Sequence, residues 1–123
     1  MQDSKITRIP LQVTQGCVMA SIQIDLAPDI LEHFRDDLLE AVQKNRARGV
    51  ILEVSALEVM DLEDFNALHE TMKMVSLMGA HPVLAGLQAG VVSTLLDLGA
   101  DIENLRVARN LDDALRILQQ DAE

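Results

Sequence analysis

One cysteine, two phenylalanines and neither tryptophan nor tyrosine occur in the 123 residues. The lone Cys17 excludes an intramolecular disulfide, and with it the framework that staples small secreted domains. With aromatics reduced to Phe34 and Phe65, bases and sugars have no platform on which to stack. Cations are scarce as well: 10 Lys and Arg stand against 20 Asp and Glu, for a formal net charge of −10. The scattered Lys44, Arg46 and Arg48 are too few to track a phosphate backbone or to hold an anionic bilayer. Nucleic acid and membrane are therefore set aside as partners. No run of about 18 apolar residues is available for a membrane span. The stretch Met1 to Pro10 lacks the basic start and apolar core of a leader peptide, so the expected chain is unprocessed and cytoplasmic.

What the chain does have is apolar residues, 49% of the total. At this length one domain over residues 1–123 can bury about two thirds of its unfolded surface without a staple. No internal repeat, low-complexity segment or linker interrupts it. Ile9 to Thr14 and Cys17 to Ile24 read as two strands joined by a Gln15-Gly16 turn. Pro28 opens a helix whose apolar stripe runs through Ile30, Leu31, Phe34, Leu38, Ala41 and Val42. Val50 to Val54 is a short β-branched run suited to a strand buried on both faces. Asp61 to Met78 returns to helical spacing through Phe65, Leu68, Met72 and Val75 and stops at Gly79, with Asp61 and Asp64 spaced as a cap. Pro82 to Leu87 is a strand, Gln88 to Leu98 a helix, Leu105 to Ala108 a last strand. Asn110 caps a final helix with the stripe Leu111, Ala114, Leu115 and Leu118. The order β-β-α-β-α-β-α-β-α implies an α/β fold: a mixed central sheet with an N-terminal hairpin and about four helices.

Catalytic chemistry is hard to find in this pattern. His33, His69 and His81 have no partner at helical spacing, so no zinc pair forms. Cys17 sits in an apolar strand, where a small buried thiol is the usual occupant. Gly86-Leu87-Gln88-Ala89-Gly90 follows a strand and opens a helix, but it has neither the Lys-Ser/Thr ending of a phosphate loop nor the dinucleotide spacing. Close strand-to-helix packing accounts for both glycines. The densest charge feature is Glu58, Asp61, Glu63, Asp64 and Glu70, five acids in thirteen residues. Carboxylates in a first helical turn are stabilised by the helix dipole, and the spacing does not match a calcium loop. No metal and no cofactor is expected. Met72 belongs to the core stripe, whereas Met74 and Met78 lie off it and leave an exposed apolar contact open.

The run Val50-Ile51-Leu52-Glu53-Val54-Ser55-Ala56-Leu57-Glu58-Val59-Met60-Asp61, followed by Leu77-Met78-Gly79-Ala80, Gly86-Leu87-Gln88 and Thr94-Leu95-Leu96-Asp97-Leu98-Gly99, resembles a STAS domain. More narrowly it is similar to the RsbS-type anti-sigma-factor antagonists of the bacterial stressosome, and Ile9-Pro10-Leu11 and Ala20-Ser21-Ile22-Gln23 fit as well. The resemblance implies the STAS fold and no catalytic activity. It also implies assembly with RsbR-type STAS sensor proteins, as a homodimer or a large hetero-oligomer, and binding of an RsbT-type serine/threonine switch kinase. The family's phosphorylatable serine follows the aspartate at the strand-to-helix junction. Here that position is Leu62, which has no hydroxyl.

The residues this resemblance assigns to partner binding are Asp61, Leu62, Glu63 and Asp64. Two readings stay open: a permanently unphosphorylated scaffold, or imitation of the phosphorylated state by Glu63 and Asp64. Thr94, and beside it Ser93, stand near the place where some RsbR-type relatives carry a second modified threonine, although an ordinary helix surface also accounts for them. Outside this class, a receiver-like phosphoacceptor or metal site at Asp61 is disfavoured by the lack of a lysine around Val83 to Gly86. A STAS module tied to a transporter is disfavoured by the lack of a span or basic surface.

Overall fold

The computed structural model describes residues 8–102 and 104–121; residues 1–7, on which much of the leader-peptide expectation rests, lie outside them. The hairpin joins β1 (Leu11–Thr14) to β2 (Cys17–Ser21). Its turn residues Gln15 and Gly16 both take positive φ, 52° and 77°, the combination whose twist matches that of the flanking strands. Both strands are shorter than their apolar patterns predict. Pro10 has no N–H to give a ladder, so β1 begins after it. Ile22 still donates to the Glu53 carbonyl at 2.9 Å, but the chain leaves the sheet there.

Helix α1 (Pro28–Asn45) starts at a proline, whose missing N–H falls where a helix has no partner for one. It buries Phe34, Leu38 and Val42. Strand β3 (Gly49–Glu53) leads through a loop to α2 (Leu62–Leu77), and β4 (His81–Ala85) leads to α3 (Ala89–Asp97). β4 ends two residues before the predicted Leu87 because Gly86, at φ +85°, turns the chain out of extended geometry. β5 is only Val107–Ala108, shorter than the predicted Leu105 to Ala108, and α4 (Leu111–Asp121) follows it. Asn110 caps α4 as its position predicts, its Oδ1 accepting from the Asp113 N–H at 2.8 Å.

The strands lie in the order β1-β2-β3-β4-β5, the first pair antiparallel and the rest parallel, which is the expected mixed sheet with four helices. Each parallel crossover steps to the next strand in the same direction. A constant crossover hand therefore puts α1, α2 and α3 on one face, where Val50 and Leu52 meet Phe34, Leu38, Phe65, Leu68, Val91 and Leu95. α4 covers the other face, packing Ala114 and Leu118 on Cys17, Ile51, Val83 and Ala85. Neighbouring residues of β3 thus serve opposite layers, which is why the strand reads as an unbroken apolar run. Ser21, Glu53 and Ala85 are paired in register, so the loops after β2, β3 and β4 leave the sheet at one common edge. Among the described residues no helix is long and apolar enough to cross a membrane.

Candidate functional site

The common edge gathers the loop 22–27, the loop 54–61 and the start of α2. Asp61 is the N-cap of α2: its backbone is extended and its Oδ1 accepts from the Asp64 N–H at 2.7 Å, satisfying one of the donors that a helix start leaves open. Leu62 is the first helical residue and is half-buried, Glu63 is exposed, and Asp64 is half-buried behind them. The four positions assigned to partner binding are thus contiguous on one corner. Glu58 is exposed on the preceding loop, and Glu70 lies two turns along α2, paired with Lys73 at 3.5 Å.

Two residues that sequence reasoning passed over complete the corner. Asp25, from the loop after β2, and Val59, 84% exposed, line a cavity of about 350 Å³ together with Leu57, Asp61, Glu63 and Asp64. Asp25 had no local signal, since it reaches the site only through the register of β2 on β3. Val59 lies between the buried Leu57 and Met60 but is itself exposed. Burial pushes the Asp64 carboxyl above the usual carboxylate range, and the neighbouring Asp61, Glu63 and Asp25 push it the same way. Among the described residues none of these four carboxylates has a cationic partner. Negative charge at the helix start is favoured by the dipole, and here it is concentrated beyond what a single cap needs.

Behind this corner, the Ser55 hydroxyl and N–H donate to the Glu53 carboxylate at 3.0 and 3.3 Å, and Gln88 Nε2 donates to the Ser55 carbonyl at 2.7 Å. Gly86 is pressed against this group: a Cβ there would lie 2.6 Å from Glu53 Oε2 and 3.0 Å from Ser55 Cβ. Close packing thus explains Gly86, but against the end of β3 and the loop after it and not against a helix as predicted. It does not explain Gly90, where a Cβ would meet nothing within 4 Å. Gly90 instead accepts, through its carbonyl, a 3.0 Å bond from the Thr94 hydroxyl.

Ser93 and Thr94 are both exposed on α3, away from the α2 corner in sequence and in element, and the backbone bond of Thr94 is ordinary helix behaviour. Cys17 is buried under α4, and that burial pushes its thiol up, so the structural reading of this residue holds. His69 packs its ring on Phe65 at 5.8 Å, while His33 holds the Asp29 carbonyl at 2.8 Å. Met60 and Met72 are buried, Met74 is half-buried and Met78 exposed. Among the described residues no three His, Cys, Asp or Glu side chains are arranged to hold a metal ion.

The chain is 26% identical over 102 residues to the RsbT co-antagonist protein RsbRB of Bacillus subtilis (strain 168), covering 83% of this chain and 35% of that one. It thus spans about a third of the length of that curated relative. Its fold superposes on a serine-to-glutamate variant of RsbS from Moorella thermoacetica with a TM-score of 0.82 and 28% identity, over 94% of this chain and 98% of the other. A chain from the molecular architecture of the stressosome, described as a signal integration and transduction hub, matches with a TM-score of 0.81 and 27% identity over 93% and 99% of the two chains. The family profile described as STAS domain matches residues 8–114, all five strands and the start of α4 included, and the chain belongs to the STAS domain family.

Proposed function

We propose that this chain is a non-catalytic interaction module of a stressosome-like partner-switching system in the cytoplasm. It packs with RsbR-type STAS proteins in an oligomeric assembly and binds an RsbT-type serine/threonine kinase through Asp61, Leu62, Glu63 and Asp64, without a cofactor. Similarity to an RsbT co-antagonist and to RsbS supports the choice of partners. The observation that carries the reading is Leu62 at the first position of α2, directly after the capping Asp61. In the family this is the position of the phosphoacceptor serine. A phosphate there would face the open N–H groups of a helix start, which favour anions. Leucine forecloses that chemistry and offers a dry contact instead, so the module holds its kinase without being switched.

Imitation of the phosphorylated state by Glu63 and Asp64 is the second reading, favoured by the exposed Glu63 carboxylate. It ranks behind the first because the helix dipole gives acids in a first turn a structural reason of their own, even where they exceed what the cap needs. The test incubates the chain with an RsbT-type kinase and ATP and follows intact mass and kinase retention in the same sample. Wild type is expected to gain no phosphate and to keep the kinase, and Leu62→Ser to gain one phosphate and release it. A phosphate on the wild type, at Ser93, Thr94 or elsewhere, would overturn the reading, as would a Leu62→Ser variant that holds the kinase equally before and after reaction. A gain in kinase affinity on combining Glu63→Gln with Asp64→Asn would transfer the case to imitation.

A further inference from the structure

Next to the α2 corner, a trough of about 290 Å³ runs between α1 and α2. On the α2 side it follows Glu63, Ala67, Glu70 and Met74, an i, i+4, i+7, i+11 row that extends about 16 Å at 1.5 Å per residue. On the α1 side it follows Pro28, Leu31, Glu32 and Arg35, about 10 Å. The half-buried Leu31, Ala67 and Met74 form a mainly apolar floor with the buried Thr71, whose hydroxyl is committed to the Ala67 carbonyl at 3.0 Å. The rim carries four carboxylates, Glu32, Glu63, Asp64 and Glu70, against one guanidinium, Arg35, which itself lies 3.5 Å from Asp36. A trough with a mainly apolar floor, two to three helical turns long and with its excess of acids on the α2 bank, has the dimensions and charge to receive a helix. Besides the corner cavity that adjoins the trough at Pro28, Glu63 and Asp64, a cavity of about 360 Å³ lies beside α3 and β5; it is mainly aliphatic with the paired Arg109 and Asp113 at its edge, so no charge imbalance selects an occupant there.

We infer that the α1–α2 trough is a docking site for a two-to-three-turn amphipathic helix of a partner protein, with Lys or Arg flanking its apolar stripe. The inference rests on the reading that a partner binds at the start of α2, and it extends that contact along the helix pair to Leu31, Glu32, Glu70 and Met74. Charge complementarity selects the occupant. The acids on the banks repel an anionic helix and a second copy of this chain, whose net charge is −10. Steering by the banks and burial of an aliphatic stripe on the floor divide the work between association rate and residence time.

The probe is a fluorescein-labelled 14-residue peptide with Leu at helical spacing and Lys on the flanks, titrated into the full chain while amide shifts are recorded by NMR. Shifts are expected at Leu31, Ala67 and Met74, with affinity falling as salt rises. The exposed reversals Glu32→Lys with Glu70→Lys, and separately the floor-blocking Ala67→Gln, are each expected to weaken binding by roughly tenfold or more, equivalent to about 1.4 kcal/mol. The two variants fail independently, so a misfolded one leaves the other decisive. Shifts scattered over the acidic surface, equal binding of a Glu-flanked peptide, or no binding would overturn the inference. Concentration-dependent shifts at the same residues without peptide would overturn it in favour of a second copy. The same variants are then tested against the RsbT-type kinase. If the peptide binds the trough and the kinase does not bind at all, the proposed partner falls and the trough stands. If the kinase binds and neither variant weakens it, the trough falls and the partner stands.

Discussion

Replacing Gly86 by alanine places two costs on one atom. The first is conformational: at φ +85° an L side chain sits in the left-handed region, at about 1 to 2 kcal/mol. The second is contact, since the new Cβ would lie 2.6 Å from Glu53 Oε2, 3.0 Å from Ser55 Cβ and 3.3 Å from Ser55 N. The carboxylate can swing aside only by giving up its bonds from the Ser55 hydroxyl and N–H, each worth about 0.5 to 1.5 kcal/mol net, and the Ser55 backbone cannot follow. Together the loss is about 2 to 5 kcal/mol, of which about 1 to 3 is contact. Gly79 supplies the control: its φ is +93°, but nothing lies within 4 Å of its would-be Cβ, so Gly79→Ala carries only the conformational cost. Urea unfolding followed by circular dichroism reads the difference. With a slope near 2 kcal/mol per molar, the Gly86→Ala midpoint should lie about 0.5 to 1.5 M below that of Gly79→Ala. Glu53→Ala should recover part of that gap in a double-mutant cycle. Equal midpoints for the two glycine variants would refute the argument that this loop is packed on the end of β3.

Asp61→Ala removes the cap of α2 and should cost about 1 kcal/mol in the same urea assay, with no loss meaning that the 2.7 Å bond to the Asp64 N–H is worth nothing net. Asp64 and Asp113 should respond to acid with opposite signs. Asp64 is held up by burial and neighbouring acids, so the folded state binds its proton more tightly and stability declines as pH rises through the carboxylate range; Asp64→Asn should stabilise at pH 7, and the gain should vanish in acid. Asp113 is held down by the Arg109 N–H and by Arg116, so its contribution is present at neutral pH and lost as pH falls through its lowered value. Asp113→Asn should therefore destabilise at pH 7 and do nothing at the acid end; matching signs for the two asparagine variants would contradict the linkage. Cys17, buried and with its thiol pushed up, should react with Ellman's reagent about a hundredfold slower than in urea-unfolded chain, and comparable rates would contradict its burial.

The architecture was legible because each element carries its own punctuation: Gln15-Gly16 for the hairpin, Pro28, Asp61 and Asn110 for helix starts, Gly79 for a helix end. The stripes through Phe34 and Leu38, and through Phe65 and Leu68, fall in the core as their spacing predicts. Strand ends were less legible, because an apolar pattern marks burial and not the last ladder bond. Ile22 is buried beyond the end of β2, and Leu105 packs on the core before β5 begins. At the site, α2 announced itself through its cap, while Asp25 and Val59 did not. The first depends on which strand lies beside which, and the second on which way a loop residue points. The contact of Gly86 with Glu53 joins the turn after β4 to the end of β3, and no local spacing encodes it.

One face of the sheet rests on three helices and the other on α4 alone, an 11-residue helix held by Ala114 and Leu118 and by an Arg48 guanidinium bond to the Leu118 carbonyl. The two faces therefore open at different thresholds. Detaching α4 uncovers only the smaller core layer around Ile51, Val83 and Ala85, whereas detaching α1 or α2 dismantles the larger one. Hydrogen exchange should accordingly release the amides of α4 well before those of β3, and Cys17, lying directly beneath that helix, becomes a chemical reporter of its departure. The sheet thus carries a separable cover on one side, and the acidic corner at the start of α2 stands on the side with the larger core.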